Sequence, residues 1–309
     1  MVNEQMVNNM KYVIGIGEAL FDCLPEGRKL GGAPANFAYH VSQFALNGCA
    51  VSAIGDDELG REIIDTFEKV HLNHILPVVE QPTGTVRVTL DDHGVPQYDI
   101  CLGVAWDHIP LTDRMLAVAH DAQAICFGSL AQRSETSRRT IQAFLDAAPA
   151  DALRVFDINL RQQWYTAEII DESLRRANIL KINDEELDVV ATMLLGVPTE
   201  PDRLIAEDSE RTRTVCRELI ARYSLRMLIL TCGAIGSYVF TPDEESYIPT
   251  PKVQVADTVG AGDSFTATFV AQLLLGRSLR EAHEKAVRVS AFVCTQAGAM
   301  PVLPDELKH

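Results

Sequence analysis

Two hydrophobic periods alternate along the chain. KYVIGIGE (11–18) is a short apolar run that stops at glycine and predicts a buried strand. GGAPANFAYHVSQFAL (31–46) follows with helical spacing, and Pro34 fits a first helical turn, where a missing N–H costs little. CAVSAIG (49–55) predicts the next strand and DELGREIIDTFEKV the next helix. This β-α-β-α order is the signature of a parallel sheet covered by helices. It then breaks. TVRVTLDDHGVPQYDICLGVAWD (85–107) reads as two β-rich runs around an Asp-Asp-His-Gly turn, an antiparallel excursion. FDCLPEGRKL (21–30) has the same extended character, so 20–31 and 84–108 are expected to leave the main sheet together as a small β-sheet lid.

The alternation resumes with strand AQAICFG (122–128), helix SETSRRTIQAFLDAA, strand LRVFDIN (153–159) and a helix near 167–177. NILKIN (178–183) leads into DEELDVVATML, a polar stretch (196–213) reads as a surface insertion, and TVCRELIARY is helical. RMLILTCG (226–233) predicts a strand, SYVFT and ESYIP a hairpin, and 262–275 and 279–297 two closing helices. The expected architecture is α/β: one domain over 11–304, a doubly wound, mainly parallel sheet with helices on both faces, preceded by a polar extension (1–10).

Composition narrows the function. The 309 residues carry 27 Lys and Arg against 43 Asp and Glu, a formal net charge of −16. That disfavours nucleic acid and anionic membranes as partners; a polyanion would have to be held locally, by N–H groups, a few cations or a metal. No run approaches the ~18 apolar residues of a membrane span. The first ten residues lack the apolar core of a signal peptide, and seven dispersed cysteines without a C-x-x-C pair suit reduced thiols, so a cytoplasmic location is expected.

The chemistry concentrates at predicted strand ends. In DTVGAGD, Gly260, Ala261 and Gly262 precede a helix whose first N–H groups lack partners, a place where an anion can approach bare backbone. Asp263 in its first turn fits a cap or, beside a bound anion, a proton acceptor. The P-loop pattern is absent, and GIGEAL lacks the third glycine of a dinucleotide fingerprint. Asp22, the Gly31–Gly32 junction and Asn36 form a hydroxyl-binding set, or a turn residue and a cap. Asp157, Asn159 and Arg161, and likewise Asn183 and Glu186, sit at strand ends, where oxygen ligands suit water-held Mg2+ and where ordinary helix capping accounts for them as well. Thr231, Gly233 and Gly236 form a glycine turn that suits a phosphate.

GEALFD, GGAPANFA, GSLAQRS, DINLR, N-x-x-E and DTVGAGD, in that order from about Tyr12 to Pro304, resemble the PfkB-type, ribokinase-like sugar kinases, and most of all their fructokinase branch. The resemblance implies ATP-dependent phosphorylation of a primary sugar hydroxyl, most simply fructose to fructose 6-phosphate, with 2-keto-3-deoxygluconate or ribose as other candidate sugars. A sugar- or nucleotide-binding regulator without catalysis is the alternative of another class. The resemblance implies Asp263 as base and, in the loop that starts at Gly260, an anion hole from the N–H groups of Ala261, Gly262 and Asp263. Asp22, Gly31, Gly32, Asn36, Tyr98 and Arg161 would meet the sugar. Asn183 and Glu186 would hold Mg2+ through water, Thr231, Gly233 and Gly236 would border the phosphates, and Ala286 and Ser290 would lie near the adenine. Asp257 and Val259 would hold K+, and a second copy would pair through the lid. The sequence departs from the pattern at Ile158, where relatives carry proline, and at Thr268, whose hydroxyl is expected to bond back to its own helix.

Overall fold

The computed structural model describes residues 11–24, 27–90, 96–198, 206 and 208–309. Among them, β1 (Tyr12–Ile16), β4 (Asn47–Val51), β6 (Asn73–Ile75), β10 (Ala122–Phe127), β11 (Leu153–Asp157), β12 (Ile179–Asn183), β13 (Met227–Cys232), β14 (Gly236–Phe240) and β15 (Glu245–Pro249) form one sheet in the order β15-β14-β13-β12-β11-β10-β1-β4-β6. Strands β6 to β13 in that spatial order run parallel, and the β14–β15 hairpin closes one edge antiparallel. From β1 the chain winds outward to β4 and β6, then returns to β10 on the other side. The strand order therefore reverses at β1, and the crevice beyond its carboxyl end is where sheets of this kind bind ligands.

Successive residues of β1 serve opposite faces. Val13 packs with Phe37, Val41, Phe265 and Phe269, whereas Ile14 and Ile16 pack with Phe127, Phe156 and Leu180. Burial on both faces explains the near-continuous apolar runs. Helices α1 (Ala33–Ser42), α8 (Ala261–Leu274) and α9 (Leu279–Cys294) cover the Val13 face. The other face is covered by α3 (Asp113–His120), α4 (Glu135–Asp146), α5 (Ala167–Arg176), α6 (Asp184–Val190) and α7 (Ser209–Tyr223), while α2 (Glu58–Lys69) packs near the β4–β6 end. A short α10 (Asp305–Lys308) ends the chain.

A second sheet holds β3 (Gly27–Gly31), β2 (Leu20–Leu24), β8 (Gly84–Leu90) and β9 (Pro96–Ile100) in that order. Its outer pairs are antiparallel and its central β2–β8 pair is parallel. Arg28 ties it to α2 through Glu58 at 3.1 Å and through Glu62. The sheet ends at Ile100: Trp106, inside the expected lid range, is fully buried in the main core, with the Arg133 guanidinium 4.0 Å over its ring. The β5 (Ile54–Gly55) and β7 (Val78–Val79) pair stands apart. Part of the expected 196–213 insertion lies outside the described residues; its end is helical, because Asp208 caps α7 through Glu210 and Arg211. Among the described residues no helix is long and apolar enough to cross a membrane.

Candidate active site

A cavity of about 840 Å³ opens at the reversal point, between the carboxyl ends of β1, β11 and β12, the start of α8 and the second sheet. Two glycines make its walls possible. Gly32 holds φ 117, and a Cβ there would lie 2.3 Å from the Glu18 carbonyl oxygen. Gly260, the N-cap of α8, holds φ 77 with Ala299 2.8 Å from where a Cβ would be. Gly262 is different. Its missing Cβ leaves room for the Lys181 ammonium, 3.0 Å from that position, so this glycine admits a cation to the helix start.

Asp263 projects from the first turn of α8 and lines the cavity. Asn36 Nδ2 donates to its Oδ2 at 2.7 Å. Burial, then the charge of Asp157, push the Asp263 carboxyl up to about 6, against the Asn36 amide, Lys181 and Arg161. Behind it, the buried Lys181 Nζ lies 3.1 Å from Asp157 Oδ1, and Thr266 donates to Asp157 Oδ2 at 2.9 Å. A fixed positive charge thus stands beside the first N–H groups of α8. The N–H of Ala261, expected in the anion hole, donates instead to the Thr258 carbonyl (3.3 Å). That leaves Gly262 and Asp263, in the first turn, with N–H groups beyond the reach of the helix's own carbonyls.

The turn after β11 carries Arg161 to the cavity. Asn159 has φ 44 and Gln162 φ 48. Ser129 Oγ donates to the Ile158 carbonyl at 2.7 Å, and Leu160 N–H donates to Glu186 Oε1 at 2.9 Å. These bonds hold the turn without the proline missing at 158. Among the described residues Arg161 forms no ion pair; its guanidinium donates to the Leu160 carbonyl. Asn183 and Glu186 form a capping box: Asn183 Oδ1 accepts from Glu186 N–H at 2.8 Å, and Glu186 Oε2 accepts from Asn183 N–H at 2.9 Å. Each Glu186 oxygen therefore carries one backbone donor and keeps a lone pair, and both residues line the cavity. Burial, ahead of the other contributions, raises the Glu186 carboxyl. This donor set fits Mg2+ held through water, and among the described residues no cluster of three His, Cys, Asp or Glu offers a direct cage.

Asp22, Gly31 and Gly32 line the cavity from the β2–β3 side. Asp22 is raised by burial, with Arg161 and Lys29 opposing. Tyr98 sits on β9 opposite Val88, and its side chain lies outside the described residues. Thr231, Gly233 and Gly236 lie on the β13–β14 hairpin, beyond the cavity wall. Ala286 is fully buried in the core and offers no surface to a nucleotide, while Ser290 Oγ donates to the Ala261 carbonyl at 2.9 Å and steadies the α8 start. Asp257 accepts from Val259 N–H and Gly298 N–H, both at 3.1 Å, with Lys29 Nζ 3.8 Å away. Burial pushes its carboxyl up, and these donors more than reverse that. The surroundings are rich in donors, so they do not fit a monovalent cation while Lys29 stays. Among the described residues the buried Thr268 Oγ1 has no hydrogen-bond partner, and the expected bond back to its helix is not made. Thr266 Oγ1 lies 3.0 Å from the Gly262 carbonyl, but its single proton is given to Asp157.

Two cavity residues escaped the sequence reading. Lys181 is a lysine inside the apolar run NILKIN, a signal in plain view. Glu18, directly after GIG, is 4% exposed. Burial pushes its carboxyl up to about 7; its own N–H, Arg161 and the Ala33 N–H oppose that, and Asp263 adds to it.

A doubly wound sheet that offers a helix N-terminus and a buried acid to a cavity beneath a second sheet defines a phosphoryl-transfer enzyme of ribokinase-like fold. The fold match is independent of the motifs: fructokinase with bound ATP from Xylella fastidiosa superposes with TM-score 0.79 over 95% of each chain at 22% identity. In sequence, the fructokinase of Klebsiella pneumoniae is 30% identical over 95% of this chain and 97% of its own. An ATP-dependent 6-phosphofructokinase of Thermoanaerobacterium thermosaccharolyticum is 26% identical over 98% and 94%. Residues 26–306 match the pfkB family carbohydrate kinases, and the chain belongs to that family. It is an ATP-dependent sugar kinase.

Proposed function

We propose that the chain is a fructokinase that transfers the γ-phosphoryl group of ATP to the C6 hydroxyl of fructose. The observation that carries the chemistry is the Asn36–Asp263 pair at the first turn of α8, 2.7 Å apart on the cavity wall. Asn36 aims the carboxylate, Asp263 takes the hydroxyl proton, and the Gly262 and Asp263 N–H groups with Lys181 stabilise the charge of a loose transition state. Mg2+, when bound, neutralises phosphate charge, and Asn183 and Glu186 orient its waters. Thr231, Gly233 and Gly236 on the neighbouring hairpin would border the nucleotide. Leu20, Asp22, Val86 and Ile100 of the second sheet line the cavity, which supports reading that sheet as a lid within a single kinase domain over 11–304. Its edges β3 and β9 are the surfaces through which a second copy would pair, and sedimentation tests that.

Fructose itself is supported by the fructokinase name of the 30% identical relative and by a cavity whose Glu18 and Asp22 carboxyls disfavour an acidic sugar. Arg161, without an ion pair, favours the second reading, a sugar acid or a phosphorylated sugar. Initial rates at fixed ATP with fructose, ribose, glucose, 2-keto-3-deoxygluconate and fructose 6-phosphate decide. Fructose is expected to give the highest kcat/KM; a higher value for an anionic sugar refutes the assignment.

A further inference from the structure

Glu18 lies beside the start of α1, where the Ala33 N–H offsets part of the rise of its carboxyl. Its Oε2 is buried with no hydrogen-bond partner among the described residues, and so is Asn36 Oδ1. Both residues line the same cavity. Buried acceptors in folded proteins are nearly always satisfied, and an unmade bond there is costly. Of the donors nearby, Asn36 Nδ2 bonds Asp263, Lys181 Nζ bonds Asp157, and the Arg161 guanidinium, whose charge acts on Glu18, bonds the Leu160 carbonyl. None of them reaches either acceptor, so a partner that enters the cavity has to bring donors of its own. A phosphate oxygen cannot serve, since it only accepts and is repelled by Glu18. Neighbouring hydroxyl groups can.

We propose that Glu18 is a sugar-contacting, specificity-determining residue. Its Oε2 accepts a hydrogen bond from one hydroxyl of the bound sugar, and Asn36 Oδ1 accepts from a hydroxyl beside it. The inference rests on reading this cavity as the sugar site. It also gives the acid that follows β1 a use beyond ending a strand, since a site built around a hydroxyl rejects the analogue that lacks it.

The test uses the full chain, Glu18→Ala and Glu18→Gln, and the set of monodeoxy analogues of the neutral sugar that the wild type phosphorylates best. Sugar KM, ATP KM and kcat are measured separately, and sugar binding by calorimetry. The wild type should reject one analogue at least ~10-fold in kcat/KM, and Glu18→Ala should reject that same analogue less than ~2-fold, with ATP KM little changed. Glu18→Gln keeps the volume, so it carries the comparison if the alanine variant does not fold. Variants that discriminate every analogue as the wild type does overturn the proposal. So does an equal loss of affinity for sugar and ATP, the mark of a structural role. A wild type that phosphorylates no neutral sugar sinks the sugar assignment, a separate failure from one in which sugar turns over and the variants discriminate normally.

Discussion

Replacing Asp263 by asparagine should make the protein more stable and nearly inactive, and both effects come from one cause. The Asp263 carboxyl is lifted from 3.8 to about 6, first by burial and next by the charge of Asp157. At about 1.4 kcal/mol per pH unit, that lift means the ionised form costs the folded state up to about 3 kcal/mol. Water in the open cavity screens part of this, so a gain of ~1–3 kcal/mol is expected once the charge is gone. Asparagine keeps an oxygen for the 2.7 Å bond from Asn36, so the geometry has no reason to collapse. For a chain of this size the gain reads as roughly 2–6 °C in Tm.

The pH dependence separates this from a generic stabilisation. A carboxyl raised in the folded state binds its proton there more tightly than in the unfolded chain. Its unfavourable contribution is therefore absent below the unfolded value of 3.8, grows as pH rises, and is complete above about 6. The Tm difference between Asp263→Asn and wild type should vanish near pH 4 and reach its maximum by pH 7. Activity moves the other way. The wild type should lose kcat/KM tenfold per unit below about pH 6, as the base protonates. The variant should lose at least ~10²-fold in kcat at pH 7 and above, the gap narrowing as the wild-type base protonates, with ATP affinity retained. Differential scanning fluorimetry across pH and coupled ADP release provide both readings. A Tm gain that does not change with pH, or a variant within a few-fold of wild-type kcat, refutes the reasoning.

Thr268→Val removes, at constant shape, a buried hydroxyl with no partner among the described residues, and thermal melts should show a gain of about 1 kcal/mol with unchanged kinetics. Gly260→Ala should lose stability by several kcal/mol, because its φ of 77 and the Ala299 contact at 2.8 Å leave no room for a Cβ. Gly262→Ala should cost less stability than Gly260→Ala but lose turnover, since its Cβ meets only the end of the Lys181 side chain and presses it from its place beside Asp157; equal melts for the two variants would contradict the distinction. Lys29→Ala frees the Asp257 carboxylate of a nearby ammonium, so the ratio of rates in potassium to tetramethylammonium buffer should rise; an unchanged ratio removes Lys29 from that site.

Long apolar strands and glycine-marked strand ends were legible in the sequence because parallel strands buried on both faces leave little choice of residue. The β14–β15 hairpin and the α9 start, with its Ser278–Glu281 capping box, follow local rules as well. Short pieces were not legible. Asn73–Ile75 is too brief to show a period and owes its strand state to Cys49–Val51 beside it. His71 and His74, spaced as on a helical face, instead flank a turn in which His71 holds φ 56. The Asp113–His120 helix went unread although Thr112 supplies its cap. Of the site, the residues on the Asp22–Asn36 segment and around Asp263 were readable as a group, but their partnerships were not. Asn36, read as a sugar ligand, bonds Asp263 across 227 positions of sequence. Glu186, read as a metal ligand, also holds the Leu160 turn that aims Arg161. Contacts of that span leave no local pattern.

Charge explains why so much of the site is backbone and buried cation. The cavity is lined by the carboxylates of Glu18, Asp22, Glu186 and Asp263 against the two cations Arg161 and Lys181. The chain as a whole is acidic, at −16. A triphosphate approaching such a surface meets repulsion everywhere except where positive charge is concentrated and held still. Lys181 is so held: burial alone would strip its proton, and Asp157, Glu186 and Asp263 together keep it charged. The α8 N-terminus adds a dipole that needs no counter-ion and no reorganisation. Much of the acid is tied down by this arrangement, Glu186 in its capping box and Asp157 in its ion pair. Asp263 and Glu18 are the carboxyls whose protons are left near neutrality, and they lie where a hydroxyl would enter.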